Sequence, residues 1–310
     1  MDEAAPLYHD LADGPPGGRA VWLRADDGVR LRAAFWPGGA RGTVILVPGR
    51  TEYIEKYGRA AGDLAARGFS TLCIDNRGQG LADRLLPDPM MGHVGRFADY
   101  QRDLAALMEL ADRLAVPGPR FLMSHSMGGA IALRAVLQGY PVRAAVFSAP
   151  MWGIRMSPVM APIARVVGTA ARAARLGARY APSTSPVPYP LAAPFEDNTL
   201  TTDRRMWDWM GMQIRTRPEL SIAGPSLHWL DAALGECRWL ARQRLPALPC
   251  LTMLGSNERI VDTRAVRAVM DRWPGSKLET VPGAEHELMM ETPARRAQFF
   301  DAATAHFAAA

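Results

Sequence analysis

Short runs of apolar and β-branched residues recur along the chain, and most are followed by a stretch whose apolar positions fall at helical spacing. Residues 21–24 and 29–36 flank Asp26-Asp27-Gly28, and this turn signal between two extended runs predicts a β-hairpin. Thr43–Val47 predicts a buried strand ended by Pro48-Gly49, followed by a helix over about 54–67 that Gly68 stops. Residues 70–74 form the next expected strand, and a loop rich in Gly, Pro and Asp separates it from a helix over 97–114. The alternation continues through a strand at 120–123, a helix at 127–138 before Gly139, and a strand at 144–147. It resumes with a strand at 250–254, a helix over about 263–273, a strand at Lys277–Val281 and a final helix from about Pro293. Strands alternating with helices imply right-handed crossovers, hence an α/β fold with a mostly parallel, doubly wound sheet.

Residues 151–245 break that rhythm. Rich in Met, Trp, Pro and Arg, they read as a helical insertion into a core made of 1–150 and 246–310. The length of 310 residues suits this division, because one α/β domain of roughly 200–250 residues leaves room for a large insertion. A hydrophobic fraction of 48% excludes wholesale disorder and collagen-like architecture. Cys73, Cys237 and Cys250 are widely spaced and form no CxxC pair, which argues against a disulfide framework and a cysteine-based zinc site. The N-terminal stretch is acidic and lacks a secretory pattern, and no window of 18 apolar residues occurs, so a cytoplasmic protein is expected.

The sharpest chemical signal is the stretch 121–129, which reads FLMSHSMGG. A small–x–Ser–x–Gly pattern between a strand and a helix is a nucleophile elbow: Ser126 sits on a strained turn, and close strand–helix approach requires small neighbours. Ser124 takes the first small position, where Gly is commonest. The Met127 amide, at the start of the helix, can donate to a developing oxyanion. A hydroxyl needs a base oriented by a third group. Of six histidines, His9 is expected in a mobile tail, His93 follows a loop, His228 lies in the insertion and His306 is near the end. His125 adjoins Ser126 and is expected to point away from it. His286 follows the strand Lys277–Val281, in the chain order nucleophile, acid, base.

The acid is expected from the loop after 250–254, where Glu258 and Asp262 are both candidates. Asp262 precedes Thr263 and resembles a helix N-cap, which favours Glu258 as the acid. Glu285 and Glu287 flank His286 and are expected to be surface charge. The second oxyanion donor is expected from the loop after Thr43–Val47, as the Arg50 amide, with the Arg50 side chain solvated or holding an anionic headgroup.

These residues resemble the α/β-hydrolase superfamily, and within it the lysophospholipase L2 and monoacylglycerol lipase group. The resemblance rests on Pro48-Gly49-Arg50 with Glu52, Asp75 through Gly80, Gly92-His93-Val94, and His125 through Gly129. It rests also on Glu258 through Asp262 and on Gly283 with His286, and it covers most of the chain outside 151–245. It implies an α/β-hydrolase fold with a helical cap and a serine hydrolase of lipid-like carboxylic esters that needs no metal or organic cofactor. Ser126 would be the nucleophile, Glu258 the acid and His286 the base, with the Arg50 and Met127 amides as oxyanion donors. Monoacylglycerol lipases usually carry His-Gly at Pro48-Gly49 and Asp at Glu258, so both departures lean toward the lysophospholipase-like branch. A small-ester esterase, thioesterase or peptidase on the same triad, and a non-catalytic ligand-binding protein, are the alternatives. Ser126 excludes the usual dehalogenase and epoxide hydrolase chemistry, and no nucleic-acid-binding motif appears.

Charge adds one expectation about the insertion. Of 36 basic residues only Lys56 and Lys277 are Lys, and the formal net charge is +5. Residues 151–245 hold 12 Arg against 7 acidic residues, so the whole surplus falls there. Over 157–180, Ile163, Val166, Val167, Ala170 and Ala174 share one helical face and Arg165, Arg172, Arg175 and Arg179 the other. That face is expected to be a solvated rim of the cap or, in the sharper reading, a peripheral contact with an anionic membrane surface. Met206, Trp207, Trp209, Met210, Met212 and Trp229 offer apolar area for an acyl chain, or packing against the body.

Overall fold

Strands without polar alternation can be buried only when both faces of their sheet are covered. A computed structural model describes residues 3–156, 176–182 and 184–310. The strands are β1 (Ala4–Ala5), β2 (Arg19–Arg24), β3 (Arg30–Trp36), β4 (Thr43–Val47), β5 (Ser70–Asp75), β6 (Arg120–His125), β7 (Ala145–Ser148), β8 (Cys250–Gly255) and β9 (Lys277–Val281). They form one sheet in the order β1-β2-β3-β5-β4-β6-β7-β8-β9. The first three pair antiparallel and β3 pairs antiparallel with β5, while every pairing from β5 across to β9 is parallel. The hairpin is where the Asp-Gly turn places it, with Arg24 opposite Arg30 and Gly28 left-handed at φ +87°.

Alternation along the buried strands divides the core between two faces. Ile45 and Val47 of β4 pack with Leu72, Leu122 and Phe147 on one side, and Val44 and Leu46 with Cys73, Met123 and Val146 on the other. The helices are α1 (His9–Ala12), α2 (Gly58–Ala65), α3 (Tyr100–Arg113), α4 (Met127–Leu137), α5 (Tyr189–Ala192), α6 (Arg204–Thr216), α7 (Leu227–Leu240), α8 (Thr263–Met270) and α9 (Pro293–Ala308). Residues of α3, α4, α7 and α8 cover the first face, and those of α2, α6 and α9 the second.

Two local expectations change. The helix expected over 54–67 is a 3-10 turn, Ile54–Tyr57, followed by α2. The tight turn arises because Asp75 accepts from Ile54 N at 2.8 Å while buried Arg32 grips Glu55 at 2.7 Å and Asp75 at 2.7 Å. The N-terminal segment is not a loose tail: β1 pairs with β2, and Leu11 and Ala12 of α1 are buried. In the insertion, the amphipathic stretch 157–180 falls outside the described residues except for its last five. Met206, Trp207 and Trp209 of α6 bury in the second core and Trp229 of α7 in the first, so these side chains serve packing.

Candidate active site

The sequence of β6 runs straight into the elbow. Ser126 has φ 49° and ψ −117°, a left-handed conformation that a non-glycine residue holds only when its surroundings enforce it. Ser126 N donates to Ser148 O at 3.0 Å, and Ser126 O accepts from Gly129 N at 2.8 Å and Met151 N at 2.8 Å. A side chain on Gly128 would strike the Val47 and Pro48 carbonyls, and one on Gly129 would strike Pro150. Ser124 stands in register between Val47 and Phe147 and is fully buried, so the first position also requires a small residue.

The loops after β8 and β9 bring the candidate acid and base together. His286 Nδ1 lies 2.7 Å from Glu258 Oε2, and both residues are buried. Glu258 Oε1 accepts from Ile260 N at 2.6 Å and Val261 N at 2.9 Å, which fixes the carboxylate plane. Burial opposes charge on Glu258, but the His286 charge, its hydrogen bond and the two amides outweigh it and hold the carboxyl below its ordinary range. Burial likewise opposes charge on His286, yet Glu258, with Glu287 and Glu52 beyond it, raises the imidazole above its usual value. Asp262 has the other role the sequence allowed: it is the N-cap of α8 and accepts from Arg264 N at 3.0 Å.

Met127 is the first residue of α4, so its N–H is among the first-turn donors that lack an acceptor within the helix. The loop after β4 is held by others' side chains. Gln79 Oε1 accepts from Thr51 N at 2.8 Å, Gln79 Nε2 donates to Gly49 O at 2.9 Å, and the Glu52 carboxylate takes Gly49 N. The Arg50 amide between them is left unengaged by that bracket. Gln79, in the glycine-rich stretch after β5, therefore shapes this loop. The Arg50 side chain is not solvated as expected. Its guanidinium donates to Ala223 O at 2.6 Å and lies 5.5 Å from the centre of the Trp229 ring. Burial pushes it down to about 10, against a small opposing contribution from Tyr100.

Ser126, His286 and Arg50 line one cavity of about 290 Å³. Tyr189, Leu200, Met210 and Ile222 of the insertion form much of its apolar wall, so Met210 alone of the six Met and Trp residues noted in the sequence reaches it. His286 N donates to Thr199 O at 3.3 Å and Glu287 N to Leu200 O at 2.8 Å, tying the base loop to the insertion. His93 and His228 lie elsewhere, where His93 Nδ1 meets Ser226 Oγ at 2.8 Å at the start of α7.

Two expectations about the surroundings are overturned. His125 does not point away: it is buried, lines the same cavity, and its ring centre is 4.7 Å from that of His286. Burial pushes it down to about 3 despite Glu52, so it stays neutral. Glu287 is not surface charge but buried, bonded to Lys56 Nζ at 2.7 Å, and Lys56 also reaches Glu52 at 3.0 Å. Glu285 is buried as well, with Arg259 3.5 Å away. The ligand atoms of Glu52, His125 and Glu287 lie within 4.8 Å of one another, but the Lys56 ammonium already bridges the two carboxylates. That these residues form one buried cluster escaped sequence reasoning. The one signal available was that Lys56 is one of two lysines among 36 basic residues.

Comparisons agree with this architecture. A sequence model of the family described as "Serine aminopeptidase, S33" matches residues 38–293. Lysophospholipase L2 of Escherichia coli is 36% identical over 272 residues, covering 82% of this chain and 76% of that protein. Monoacylglycerol lipase of Mycolicibacterium smegmatis is 26% identical, covering 85% of this chain and 88% of that one. Among solved structures, a soluble variant of monoglyceride lipase from Saccharomyces cerevisiae superimposes with a TM-score of 0.71 at 19% identity, covering 92% of this chain and 93% of that one. The sheet order, the elbow and these matches converge: the chain belongs to the α/β-hydrolase superfamily, in the serine aminopeptidase S33 family and the group of lysophospholipase L2 and monoacylglycerol lipase.

Proposed function

We propose that this protein is a serine hydrolase that cleaves carboxylic esters of lipid-like substrates, lysophospholipid or monoacylglycerol, through an acyl-enzyme. The observation that carries the reading is the buried 2.7 Å contact of Glu258 with His286 on the wall of the cavity that holds Ser126 at its strained turn. Names of the relatives, lysophospholipase L2 and monoacylglycerol lipase, support the substrate class. Glu258 holds Nδ1–H, so the lone pair of Nε2 takes the Ser126 proton as Oγ attacks the ester carbon. Negative charge then collects on the former carbonyl oxygen, where the Arg50 and Met127 amides receive it. The imidazolium returns its proton to the leaving alcohol, and a water activated by His286 hydrolyses the acyl-enzyme, releasing the fatty acid. Leu200, Met210, Ile214, Ile222 and Ile260 supply apolar surface for the acyl chain.

Residues 151–245 act as the cap over this cavity, a reading supported by the insertion residues in its wall. Their surplus of 12 Arg over 7 acidic residues supports peripheral contact with an anionic lipid surface. No helix among the described residues is long and apolar enough to cross a membrane. Three unpaired, buried cysteines support a reducing, cytoplasmic location. Ser126→Ala should abolish turnover of lysophospholipid and monoacylglycerol esters while the thermal melt stays intact, and retained turnover sinks the triad. Greater turnover on peptide amides than on these esters overturns the substrate class. Binding to anionic vesicles that does not respond to anionic lipid or to salt removes the membrane contact.

A further inference from the structure

Behind the triad lies a second set of buried charges that the acyl-enzyme route does not use. Lys56 Nζ bonds Glu52 Oε1 at 3.0 Å and Glu287 Oε1 at 2.7 Å, and all three side chains are almost wholly buried. The two carboxylates belong to different halves of the site. Glu52 lies in the loop after β4, where its second oxygen takes Gly49 N and the Tyr57 hydroxyl, next to the Arg50 donor. Glu287 adjoins His286 in the loop after β9, 231 residues from Lys56 in the chain. One ammonium therefore spans the gap between the oxyanion loop and the base loop, and Lys56 itself lines the cavity.

The structure assigns Lys56 and Glu287 as positioning residues: Lys56 clamps the Arg50 loop to the His286 loop, and Glu287 sets a carboxylate beside the base. This rests on the triad reading above. A hydrophobic contact could hold the two loops as well, but it could not act on the base. The groups facing His286 are Glu258, Glu287, Glu52 and the neutral His125 ring. Those facing Glu287 are Lys56, Glu52, His286 and the phenols of Tyr53 and Tyr57, both kept neutral by burial. Burial, with Glu52, pushes Glu287 up, and the Lys56 ammonium 2.7 Å away opposes this. Glu287 Oε2 is buried without a hydrogen-bond partner among the described residues, while Lys56 at Oε1 offsets part of the carboxylate's charge. Reaction converts neutral His286 to imidazolium, and a carboxylate held beside it favours that conversion.

The test compares Lys56→Met, Lys56→Arg and Glu287→Gln with wild type. It measures kcat and KM on a soluble short-chain ester from pH 5 to 9, melting temperature, and the rate of fluorophosphonate labelling of Ser126. A displacement of about an ångström in catalytic geometry costs about 100-fold in rate, so folded Lys56→Met should lose about that in kcat with KM within about threefold. Lys56→Arg should recover at least about tenfold of the loss, since it keeps the charge. Glu287→Gln removes a carboxylate that raises the His286 pKa, so the acid limb of kcat/KM should move to lower pH. An unmoved acid limb in Glu287→Gln, or kcat within about threefold of wild type in folded Lys56→Met, overturns the proposal. Should Lys56→Met fail to fold, the Glu287→Gln acid limb decides alone, displaced in support or unmoved in refutation. Absence of labelling at Ser126 in wild type is a separate failure, and it removes the triad reading and this proposal with it.

Discussion

Replacing Glu258 by Gln tests the site at its most constrained contact. Glu258 Oε1 accepts from Ile260 N and Val261 N at 2.6 and 2.9 Å, while Oε2 faces His286 Nδ1 at 2.7 Å. Glutamine has one acceptor and one donor end, and two backbone donors claim the acceptor. The NH2 group must then face His286, which forces Nδ1 to become an acceptor and moves the ring proton to Nε2. In that tautomer Nε2 cannot take the Ser126 proton, and the carboxylate that stabilises the imidazolium is gone. The wrong tautomer in a triad costs about 10⁴-fold in kcat, or ~5 kcal/mol at 1.36 kcal/mol per tenfold. The assay is steady-state hydrolysis of a soluble ester, with circular dichroism to show that the fold persists. Asp262→Asn is the matched control. Asp262 caps α8, and Asn caps a helix about as well as Asp, so the variant should keep its stability and lose less than about twofold in kcat. A kcat loss below tenfold in Glu258→Gln, or a larger loss in Asp262→Asn, refutes the assignment of the acid.

Two further outcomes follow from the same structure. Because Glu258, aided by Glu287 and Glu52, lifts His286 above the ordinary imidazole value against the effect of burial, the neutral base is lost as pH falls through that raised pKa. The acid limb of kcat/KM should therefore have its midpoint above about 6.5, and a midpoint below 6 contradicts the electrostatics. Arg32→Leu leaves Glu55 and Asp75 without the fully buried guanidinium that pairs with both at 2.7 Å. Breaking such a pair costs about 3–5 kcal/mol, or a melting temperature lower by about 10 °C, so a melt within 2 °C of wild type shows that the cluster contributes little.

The amino-acid sequence by itself determines what depends on near neighbours. Periodicity and turn residues place the parallel strands, because strand and helix differ in spacing over only a few residues. The elbow at Ser126 is legible because its small–x–Ser–x–Gly pattern lies within one strand–helix turn, although the contacts that require Gly128 and Gly129 come from Val47, Pro48 and Pro150. Asp262 reads as a cap because its acceptor role is played two residues on, at Arg264 N. Tertiary structure decides what depends on which loops meet at the carboxyl edge of the sheet. Lys56 and Glu287, 231 residues apart, become partners only because β4 and β9 deliver their loops to one cavity. The Arg50 side chain finds Ala223, 173 residues away, and is half-buried there instead of dissolving in water. Hydropathy cannot distinguish a solvated Glu287 from a buried one, since a charged residue looks the same in sequence until a partner removes the cost of taking it out of water.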